Sequence, residues 1–443
     1  MHRFGARRLD FIPDLLGIHQ ARPKVWPFLL SSEAQADHLG RWSLLLHQDG
    51  ECIETRHPGS SGRFLEQLRQ RLGPGMERDP KLPDLPFYGG WFLYLGYELA
   101  AEIEPRLVLP PAQDSLPAAF AARCPGALII DQVRREAWLV GESERTLEYL
   151  DAAISPHDDV DLDPIKPEGL SIQADPGQRF LSGVRKIRQW IYAGDVFQVN
   201  LSRQWRAFSE SPVSAAAVYR ALARANPGPF AGLACLPGGT VVSSSPERLV
   251  EVRGDFVQTR PIAGTRPRSD CPSADRDLSA ELIGNLKERA EHIMLIDLER
   301  NDLGRVCRAG SIEVDELMVV ESYAHVHHIV SNVRGQLRSQ TSPVDVIAAV
   351  FPGGTITGCP KVRCMEIIAE LEKQGRGFYT GSMGYLGLDG SMDLNILIRS
   401  MVISGYQLSF RTGAGIVADS DPDAELAETE AKARGLLKAL GTA

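Results

Sequence analysis

Three glutamates and a lysine stand at helical spacing in the C-terminal half of the chain. Glu288 and Glu291 lie three residues apart in a helix predicted over about 274–300, and Glu428 and Lys432 lie four apart in a predicted final helix. Carboxylates at such spacing share a helix face, where they either form solvated ion pairs worth about 0.3–0.5 kcal/mol or act together on a ligand. Spacing alone favours the solvated face. The predicted apolar stripe of the long helix, from which both glutamates point away, consists of Leu278, Leu282, Leu286 and Ile293.

Two glycine-rich segments are candidates for anion binding. Residues 413–418 (GAGIVA) follow a predicted strand and match a dinucleotide pattern, but residues 419–423 separate the glycines from the next predicted helix. A dinucleotide site needs the helix to begin at the glycines, so only an anion site built from backbone N–H groups remains open. Residues 351–361 (FPGGTITGCPK) lack the GxxxxGK[ST] order of a phosphate loop.

Three histidines, His325, His327 and His328, lie in a strand-like stretch. Alternation along a strand places His325 and His327 on one face and His328 on the other, so the three do not converge as zinc ligands would. One histidine acting in acid–base chemistry remains an open alternative.

The composition excludes several classes of protein. The 443 residues are 43% hydrophobic and 24% charged, which is typical of a globular chain. The net charge is −9 and no run of Lys and Arg occurs, so a nucleic-acid partner has no electrostatic support. No apolar run approaches the roughly 20 residues of a membrane span. Seven scattered cysteines without a CxxC pair, and an N-terminus without signal-peptide features, predict a cytoplasmic protein.

The elements that position these residues lie on either side of a predicted linker. Residues 155–178 carry four prolines and many acidic residues with almost no apolar pattern. We therefore predict an N-terminal region over 1–155, a linker over 156–177 and a C-terminal region over 178–443. The C-terminal region contains consecutive predicted hairpins without regular βαβ alternation, which indicates a largely antiparallel α+β fold.

The C-terminal region contains seven motif blocks in a fixed order. The blocks are SPER (245–248), RPIAGTRPR (260–268), ERAEHIM (288–294), DLERNDLGRV (297–306), PGGTITGCPKVRCME (352–366), GSMGY (381–385) and GAGIVADS (413–420). Their order resembles the chorismate-utilising enzymes, a family that includes anthranilate, aminodeoxychorismate, isochorismate and salicylate synthases. The resemblance is strong over about 178–440. It implies a two-layered antiparallel β-sandwich with helices outside and chorismate bound between the sheets.

The resemblance implies a Mg²⁺ ion held by Glu291 and Glu428, with Glu288 as an outer-shell residue. Mg²⁺ takes oxygen ligands and completes its shell with water and substrate. The ion would offset the charge of the ring carboxylate of chorismate.

The resemblance also implies the groups that hold the anionic substrate. Arg399 and Lys432 would bind its carboxylates, for which an arginine fork is well suited, and Tyr385 would donate a hydrogen bond. The further substrate-binding residues are Gly264, Thr265, Thr357, Gly413, Ala414 and Gly415.

Three residues are implied to act on the reaction itself. Glu247 matches the general acid that protonates the leaving C4 hydroxyl, and His328 matches a histidine beside the ring. Gln198 stands where water-using members carry a lysine base. A neutral amide cannot deprotonate water, whereas ammonia needs no base, so Gln198 indicates an ammonia-using member.

Two ammonia-using activities remain alternatives. Aminodeoxychorismate synthases often carry a lysine at the position of Ala263. Alanine at this position is instead a feature of anthranilate synthases. The PGGTITG loop, Asn226–Phe230 and the His327–His328 pair instead resemble aminodeoxychorismate synthase component I, which is the favoured prediction. A glutamine amidotransferase partner would supply ammonia, and a downstream aminodeoxychorismate lyase would complete the route to 4-aminobenzoate and folate.

The N-terminal region is a possible tryptophan-binding regulatory half. LLSSE at 29–33 resembles the tryptophan site of anthranilate synthases, with Ser32 as its serine. Pro229, Phe230 and Ala231 would form the other wall. A non-catalytic tryptophan-binding module is the remaining alternative.

Overall fold

The computed structural model describes residues 4–34, 40–58, 63–73, 75–76, 78–154, 169–323 and 326–442, so His325 lies outside the described residues. The strands are β1 (Gly5–Leu9), β2 (Phe28–Ser31), β3 (Trp42–His47), β4 (Cys52–Thr55), β5 (Gly90–Leu95), β6 (Ala119–Cys124), β7 (Gly126–Asp131), β8 (Glu136–Gly141), β9 (Leu170–Ala174), β10 (Gln198–Ser209), β11 (Phe230–Leu236), β12 (Gly239–Ser245), β13 (Arg248–Arg253), β14 (Phe256–Thr259), β15 (Ile262–Pro267), β16 (Glu313–Ser322), β17 (Val326–Gln336), β18 (Gly358–Cys359), β19 (Ser382–Gly387), β20 (Met392–Asn395), β21 (Ser400–Ser404) and β22 (Gln407–Ile416). The helices are α1 (Leu15–Ala21), α2 (Phe64–Leu72), α3 (Ala100–Ile103), α4 (Glu144–Ala152), α5 (Gly177–Tyr192), α6 (Ala215–Ala225), α7 (Pro272–Gly284), α8 (Leu286–Gly304), α9 (Pro343–Val350), α10 (Lys361–Glu372) and α11 (Pro422–Ala439), with a 3-10 turn at Tyr97–Leu99.

The strands form two antiparallel sheets. The first sheet has the order β1-β8-β7-β3-β2-β11-β12-β21-β22-β10-β18, with β9 also paired to β10. The second has the order β15-β17-β14-β13-β20-β19-β5-β6-β4, with β16 also paired to β17. Hairpins such as β11–β12 and β21–β22 confirm the antiparallel pairing predicted from the turn signals in the sequence.

The two sheets pack face to face. Phe28 of the first sheet stacks on Phe92 of the second with ring centroids 3.9 Å apart, inside an apolar cluster that draws on both sheets. The outer face of the first sheet is covered by α1, α4, α6 and α11, and that of the second by α2, α8 and α9. The predicted α+β sandwich with helices outside is confirmed.

Strands from both sides of the predicted linker share each sheet. β2 pairs with β11, and β5 pairs with β19 along its whole length. Residues 156–168 of the predicted linker lie outside the described residues, and β9, in the remainder, pairs with β10. The boundary seen in the sequence therefore does not divide the sheets, and the N-terminal strands are part of the same sandwich.

The single long helix predicted from the sequence is two helices, α7 and α8, which meet at Asn285. The Asn285 side chain accepts hydrogen bonds from backbone N–H groups in the first turn of α8 and so caps that helix. The predicted apolar stripe is wrong in its C-terminal part, because Leu286 and Ile293 are 79% and 51% exposed. Because α8 begins after Asn285 as a separate helix, its faces do not continue those predicted for one long helix. Glu288 therefore points towards the protein interior instead of into solvent.

In the part of the chain that the structure describes, no helix is both long enough and apolar enough to cross a membrane.

Candidate active site

The paired strands β10 and β22 form one wall of the site. Their register places Asn200 opposite Gly415 and Leu201 opposite Ala414. The Gln198 amide covers Gly415, since a β-carbon on that glycine would overlap Nε2 of Gln198. The Gln198 Oε1 atom is buried and has no hydrogen-bond partner among the described residues. This amide can therefore form a hydrogen bond with a ligand bound over the glycines.

Helix α11 brings a cation to the same wall. Lys432 Nζ donates a hydrogen bond of 3.0 Å to the carbonyl oxygen of Gly413, which lies across the strand pair from Ser202. The ammonium group also pairs with Glu428 at 2.6 Å, one turn earlier on the helix. The i,i+4 pair predicted from spacing is present, and the structure places it at the glycine segment.

The second sheet supplies the opposite wall through β15 and β17. A register shift between Ala263 and Thr265 makes a bulge at Gly264, which has φ +63°. His328 Nδ1 lies 3.0 Å from the Thr265 hydroxyl and 3.2 Å from the Gly264 carbonyl oxygen. Burial, together with the nearby cations Arg399 and Lys432, lowers the pKa of His328 to about 4, although the contact with the Gly264 carbonyl opposes the shift. This imidazole is neutral at pH 7.

Glu247 lies in the turn that joins β12 of the first sheet to β13 of the second. Its backbone is fixed by Ser245, whose hydroxyl accepts from the Glu247 N–H and donates to the carbonyl oxygen of Ile396. The side chain is 4% exposed, and its Oε1 atom is unpartnered within the described chain. Burial raises the pKa of Glu247 to about 7, although the Thr355 hydroxyl and the Lys432 charge oppose the shift. A carboxyl group in this environment holds its proton near neutrality.

Four carboxylates of α8 and α11 lie close enough for their charges to interact: Glu288, Glu291, Glu425 and Glu428. Burial raises the pKa of Glu291; Lys287 opposes the shift, and the negative charges of the other three add to it. Glu288 pairs with Arg266 at 2.7 Å, while its Oε2 atom is buried without a partner among the residues described.

This carboxylate set suits a hard cation. All of its donors are oxygens, and the buried Oε2 of Glu288 lacks a proton donor, so a cation would relieve both the repulsion and the missing contact. No three His, Cys, Asp or Glu side chains of the described residues are already arranged as a metal site. Glu428, in particular, is paired with Lys432.

Arg399 and Tyr379 complete the polar lining near Gly413. Arg399 has φ +53°, and burial lowers the pKa of its guanidinium, while Tyr379 and Glu428 counter that shift. A β-carbon on Gly413 would lie 2.8 Å from the Tyr379 hydroxyl oxygen. Tyr379 was not predicted from the sequence, although it stands in the same glycine-rich run as Tyr385. The structure thus brings Arg399, Lys432, Gly413 and an unpredicted tyrosine together.

Two residues predicted to bind substrate lie elsewhere. Tyr385 of β19 packs edge-on against Phe87 and lines a separate cavity beside Asp393, because its position on the strand turns it away from Gly413. The Thr357 hydroxyl donates to the carbonyl oxygen of Gly353 at 2.8 Å, so it closes its own loop. The structure therefore does not support substrate contacts for these two side chains.

The separate cavity is lined in part by residues of β13, β19 and β20 and has a volume of about 370 Å³. Its walls include Pro229, Phe230 and Ala231, three of the residues predicted to bind tryptophan. The Ser32 hydroxyl instead donates a hydrogen bond of 3.0 Å to the Pro229 carbonyl oxygen, and so helps to fix the position of this wall. Tryptophan binding stays a prediction.

The family of chorismate binding enzymes matches residues 28–438 of the chain. The chain belongs to this family. The family match supports an enzyme that acts on chorismate, and it runs across the predicted linker, in agreement with the shared sheets. The family resemblance inferred from the seven sequence blocks is confirmed.

Individual relatives divide between two activities. The chain is 44% identical to an anthranilate synthase component I-like protein of Synechocystis, over 91% of this chain and 83% of the relative. It is 42% identical to aminodeoxychorismate synthase component 1 of Bacillus subtilis, over 82% and 79%. Anthranilate synthase component I of Streptococcus pneumoniae shares the fold with a TM-score of 0.78 and 29% identity, over 90% of this chain and 92% of that chain.

Proposed function

We propose that this chorismate-binding enzyme is aminodeoxychorismate synthase component I, which replaces the C4 hydroxyl of chorismate by an amino group. The observation that carries the amination is Gln198. Its amide lies over Gly415, where water-using relatives place a lysine, and no general base for water stands there. Ammonia carries its own lone pair and attacks the ring without such a base.

Glu247 supplies the proton for the leaving group. The nitrogen–ring bond forms as the C4–oxygen bond breaks, and the proton of Glu247 goes to the departing hydroxyl, which leaves as water. Because burial raises the pKa of Glu247 to about 7, the acid is protonated over much of the neutral range. The neutral imidazole of His328 holds the bulged strand at Gly264 through its contacts with Thr265 and the Gly264 carbonyl.

The charges at the site suit a dicarboxylate. Arg399 and Lys432 would bind carboxylate groups beside the backbone of Gly413. Glu291 and Glu428 would hold Mg²⁺, with Glu288 next to them. When bound, the ion would offset the charge of the ring carboxylate.

The loop over 351–361 favours aminodeoxychorismate as the product. The sequence resemblance associates alanine in place of Gly353 or Gly354 with anthranilate synthases. Here a β-carbon on Gly354 would overlap the side chain of Leu298, and one on Gly353 would lie 2.9 Å from Ile396. The packing around this loop is thus adjusted to glycine at both positions.

Ammonia would come from a glutamine amidotransferase partner, since the two activities named for the relatives use one. Ala263 offers no nucleophile, so nitrogen would reach the ring without a lysine adduct. The product retains its enolpyruvyl group, and a separate aminodeoxychorismate lyase would release pyruvate to give 4-aminobenzoate.

Anthranilate synthase component I is the alternative, favoured by Ala263 and by the names of several relatives. The test is product identification from purified protein, chorismate, Mg²⁺ and an ammonium salt at raised pH. We expect no aromatic product until aminodeoxychorismate lyase is added, and 4-aminobenzoate afterwards. Fluorescent anthranilate formed without the lyase would instead establish the alternative.

A further inference from the structure

Glu247 is isolated from bulk water, which raises the question of how it recovers its proton. The proposed reaction consumes the Glu247 proton in every turnover, yet the side chain is only 4% exposed. Reprotonation through the substrate side is blocked while substrate or product fills the site. A proton source on the protein side of the acid would reload it without waiting for the site to empty.

Two buried carboxyl groups of α8 lie behind Glu247. Glu299 and Asp302 are 6% and 5% exposed. Glu299 reaches the loop that carries Thr355, since a β-carbon on Gly354 would lie 3.2 Å from its Oε1 atom. Thr355 is in turn close enough to Glu247 to influence its pKa. The two carboxyl groups therefore approach neighbouring residues of one loop, Glu299 at Gly354 and Glu247 at Thr355.

The charge balance of this cluster requires a bound proton. The cation in closest contact with this cluster is Lys361, whose Nζ lies 2.5 Å from Asp302 Oδ2 and 3.1 Å from the Val350 carbonyl oxygen. The charges of Arg305 and Lys432 act on Asp302 and Glu247 from outside it. Burial raises the pKa of Glu299, and the charges of Asp302 and Glu247 raise it further against the opposing effects of Lys361 and the Thr259 hydroxyl. Three buried carboxylates beside one close ammonium do not all stay ionised near neutrality, so Glu299 holds a proton when Glu247 has lost its own.

Two hydroxyl groups stand where a proton would pass. The Oγ1 atoms of Thr259 and Thr355 are buried, and each lies near one carboxyl group of the cluster. Thr259 faces Glu299, and Thr355 faces Glu247. A hydroxyl both accepts and donates a proton, so each can pass one along after a small rotation.

The far end of the cluster meets an open groove of about 850 Å³. Asp302 and Lys361 line this groove, together with exposed Phe197, whereas Glu299 and Glu247 do not. Solvent in the groove therefore reaches Asp302 first, Glu299 next and Glu247 last.

We infer that Glu299 is a proton-relay residue, which reprotonates Glu247 after each turnover and is itself reloaded from the groove at Asp302. The relay rests on the proposed role of Glu247 as general acid. In the chemical step Glu247 gives its proton to the departing hydroxyl. Glu299 then transfers a proton to Glu247, and water in the groove returns one to Glu299 as the aminated product releases one to solvent. The transfer is balanced and changes no oxidation state.

The test compares the first turnover with later ones in Glu299→Gln. Enzyme is mixed rapidly with excess chorismate and saturating ammonium, and the loss of chorismate is followed whichever amine forms. The mixing is done below pH 7, where Glu247 starts protonated, so we expect one equivalent per site to react at close to the wild-type rate. The steady rate should then fall by at least about tenfold, the lower end of a general acid–base contribution. Glu299→Asp, which keeps the carboxyl group, should restore most of the steady rate.

A purely structural role for Glu299 predicts a different time course of chorismate loss, in which the first and later turnovers are slowed equally. That result, or a steady rate equal to wild type, would overturn the relay. If Glu299→Gln does not fold, Thr259→Val is tested in its place and should show the same two phases. A single slow phase, or a steady rate equal to wild type, would then overturn the relay. Glu247→Gln should be slow from the first turnover. Chorismate loss by the wild-type protein separately tests the proposed function.

Discussion

A β-carbon on Gly264 would overlap the Oε2 atom of Glu288, so β15 and the first turn of α8 touch where only glycine fits. Gly264 also has φ +63°, which costs a non-glycine residue about 1–2 kcal/mol. Gly264→Ala should therefore push Glu288 away from its position and weaken both Mg²⁺ dependence and chorismate turnover. Activity and the melting temperature would be measured together.

Gly254→Ala is the matched control for that substitution. Gly254 has φ +57°, but nothing lies within 4 Å of where its β-carbon would stand. It should lose a similar amount of stability and keep its activity. If both variants lose activity equally, the contact with Glu288 is not what matters.

Glu247→Gln should lower kcat by about 10²–10⁴-fold with little change in the KM for chorismate, because the amide cannot donate the proton. The pKa of Glu247 is about 7, so the wild-type rate should fall as pH rises above that value. Rates must be compared at a constant concentration of neutral ammonia, which itself rises with pH. A wild-type rate that stays flat from pH 6 to pH 9 would contradict the assignment of the acid.

The same substitution should stabilise the protein in alkaline solution. The folded pKa of Glu247 lies above its ordinary value of 4.5, so the folded state binds the proton more tightly than the unfolded state. Folding stability contributed by this group is therefore lost as pH rises from about 4.5 to about 7. At pH 8 Glu247→Gln should raise the free energy of unfolding by about 1–3 kcal/mol, and at pH 4 by much less. Urea titration at both pH values measures the difference.

Lys432→Met should raise the KM for chorismate by about 10–100-fold, which corresponds to a charged hydrogen bond of about 1.5–3 kcal/mol. The ammonium group sits on the Gly413 carbonyl beside the proposed carboxylate site. Lys438→Met on the same helix removes an exposed lysine and should leave KM unchanged. Equal effects of the two variants would point to the overall charge of α11 instead.

Gln198→Lys should introduce hydration chemistry. A lysine at 198 would extend over Gly415, where a neutral amine can take a proton from water. We expect amination to decline and a hydroxylated isomer of chorismate to appear in ammonia-free buffer, as judged by chromatography. Phe197→Lys is the control, since Phe197 is 66% exposed and faces the groove. If Phe197→Lys also gives a hydroxylated product, the hydration does not depend on a lysine at position 198.

Magnesium dependence can be measured without turnover. Titration calorimetry with MgCl₂ in the presence of chorismate should show one site, and Glu291→Gln should weaken it by at least about tenfold, as loss of a charged ligand does. Glu281→Gln, on α7, is a control outside the four interacting carboxylates. Unaltered Mg²⁺ affinity in Glu291→Gln would exclude that residue as a ligand.

The sequence predicted the parts of the fold that depend on local pattern. Alternation of apolar and polar residues identified the strand β10, and the turn between β11 and β12 identified a hairpin. The ordered blocks identified the family. The break at Asn285 was missed, because the helical pattern of α7 continues into α8 and a capping asparagine inside such a pattern is a weak signal. The inward turn of Glu288 follows from that break and was missed with it.

Within the site, sequence motifs located segments better than side chains. Tyr379 and Tyr385 stand in one glycine-rich run, and only the three-dimensional path decides which hydroxyl faces Gly413. Thr380, between them, has φ +62°, so the strand alternation cannot be extended from one tyrosine to the other. Thr355 and Thr357 pose the same problem, since their irregular loop has no period from which orientation can be deduced.

The pairing of β2 with β11 and of β5 with β19 limits how the chain can be shortened. A fragment that begins at residue 178 would keep most of the residues proposed for catalysis, but both sheets would be cut through the middle. The exposed edges of β11 and β19 would carry unpaired N–H and C=O groups along apolar strands, which is the surface on which separate chains join edge to edge. Such a fragment should precipitate when expressed alone, and it should dissolve as a complex when residues 1–155 are supplied as a second chain.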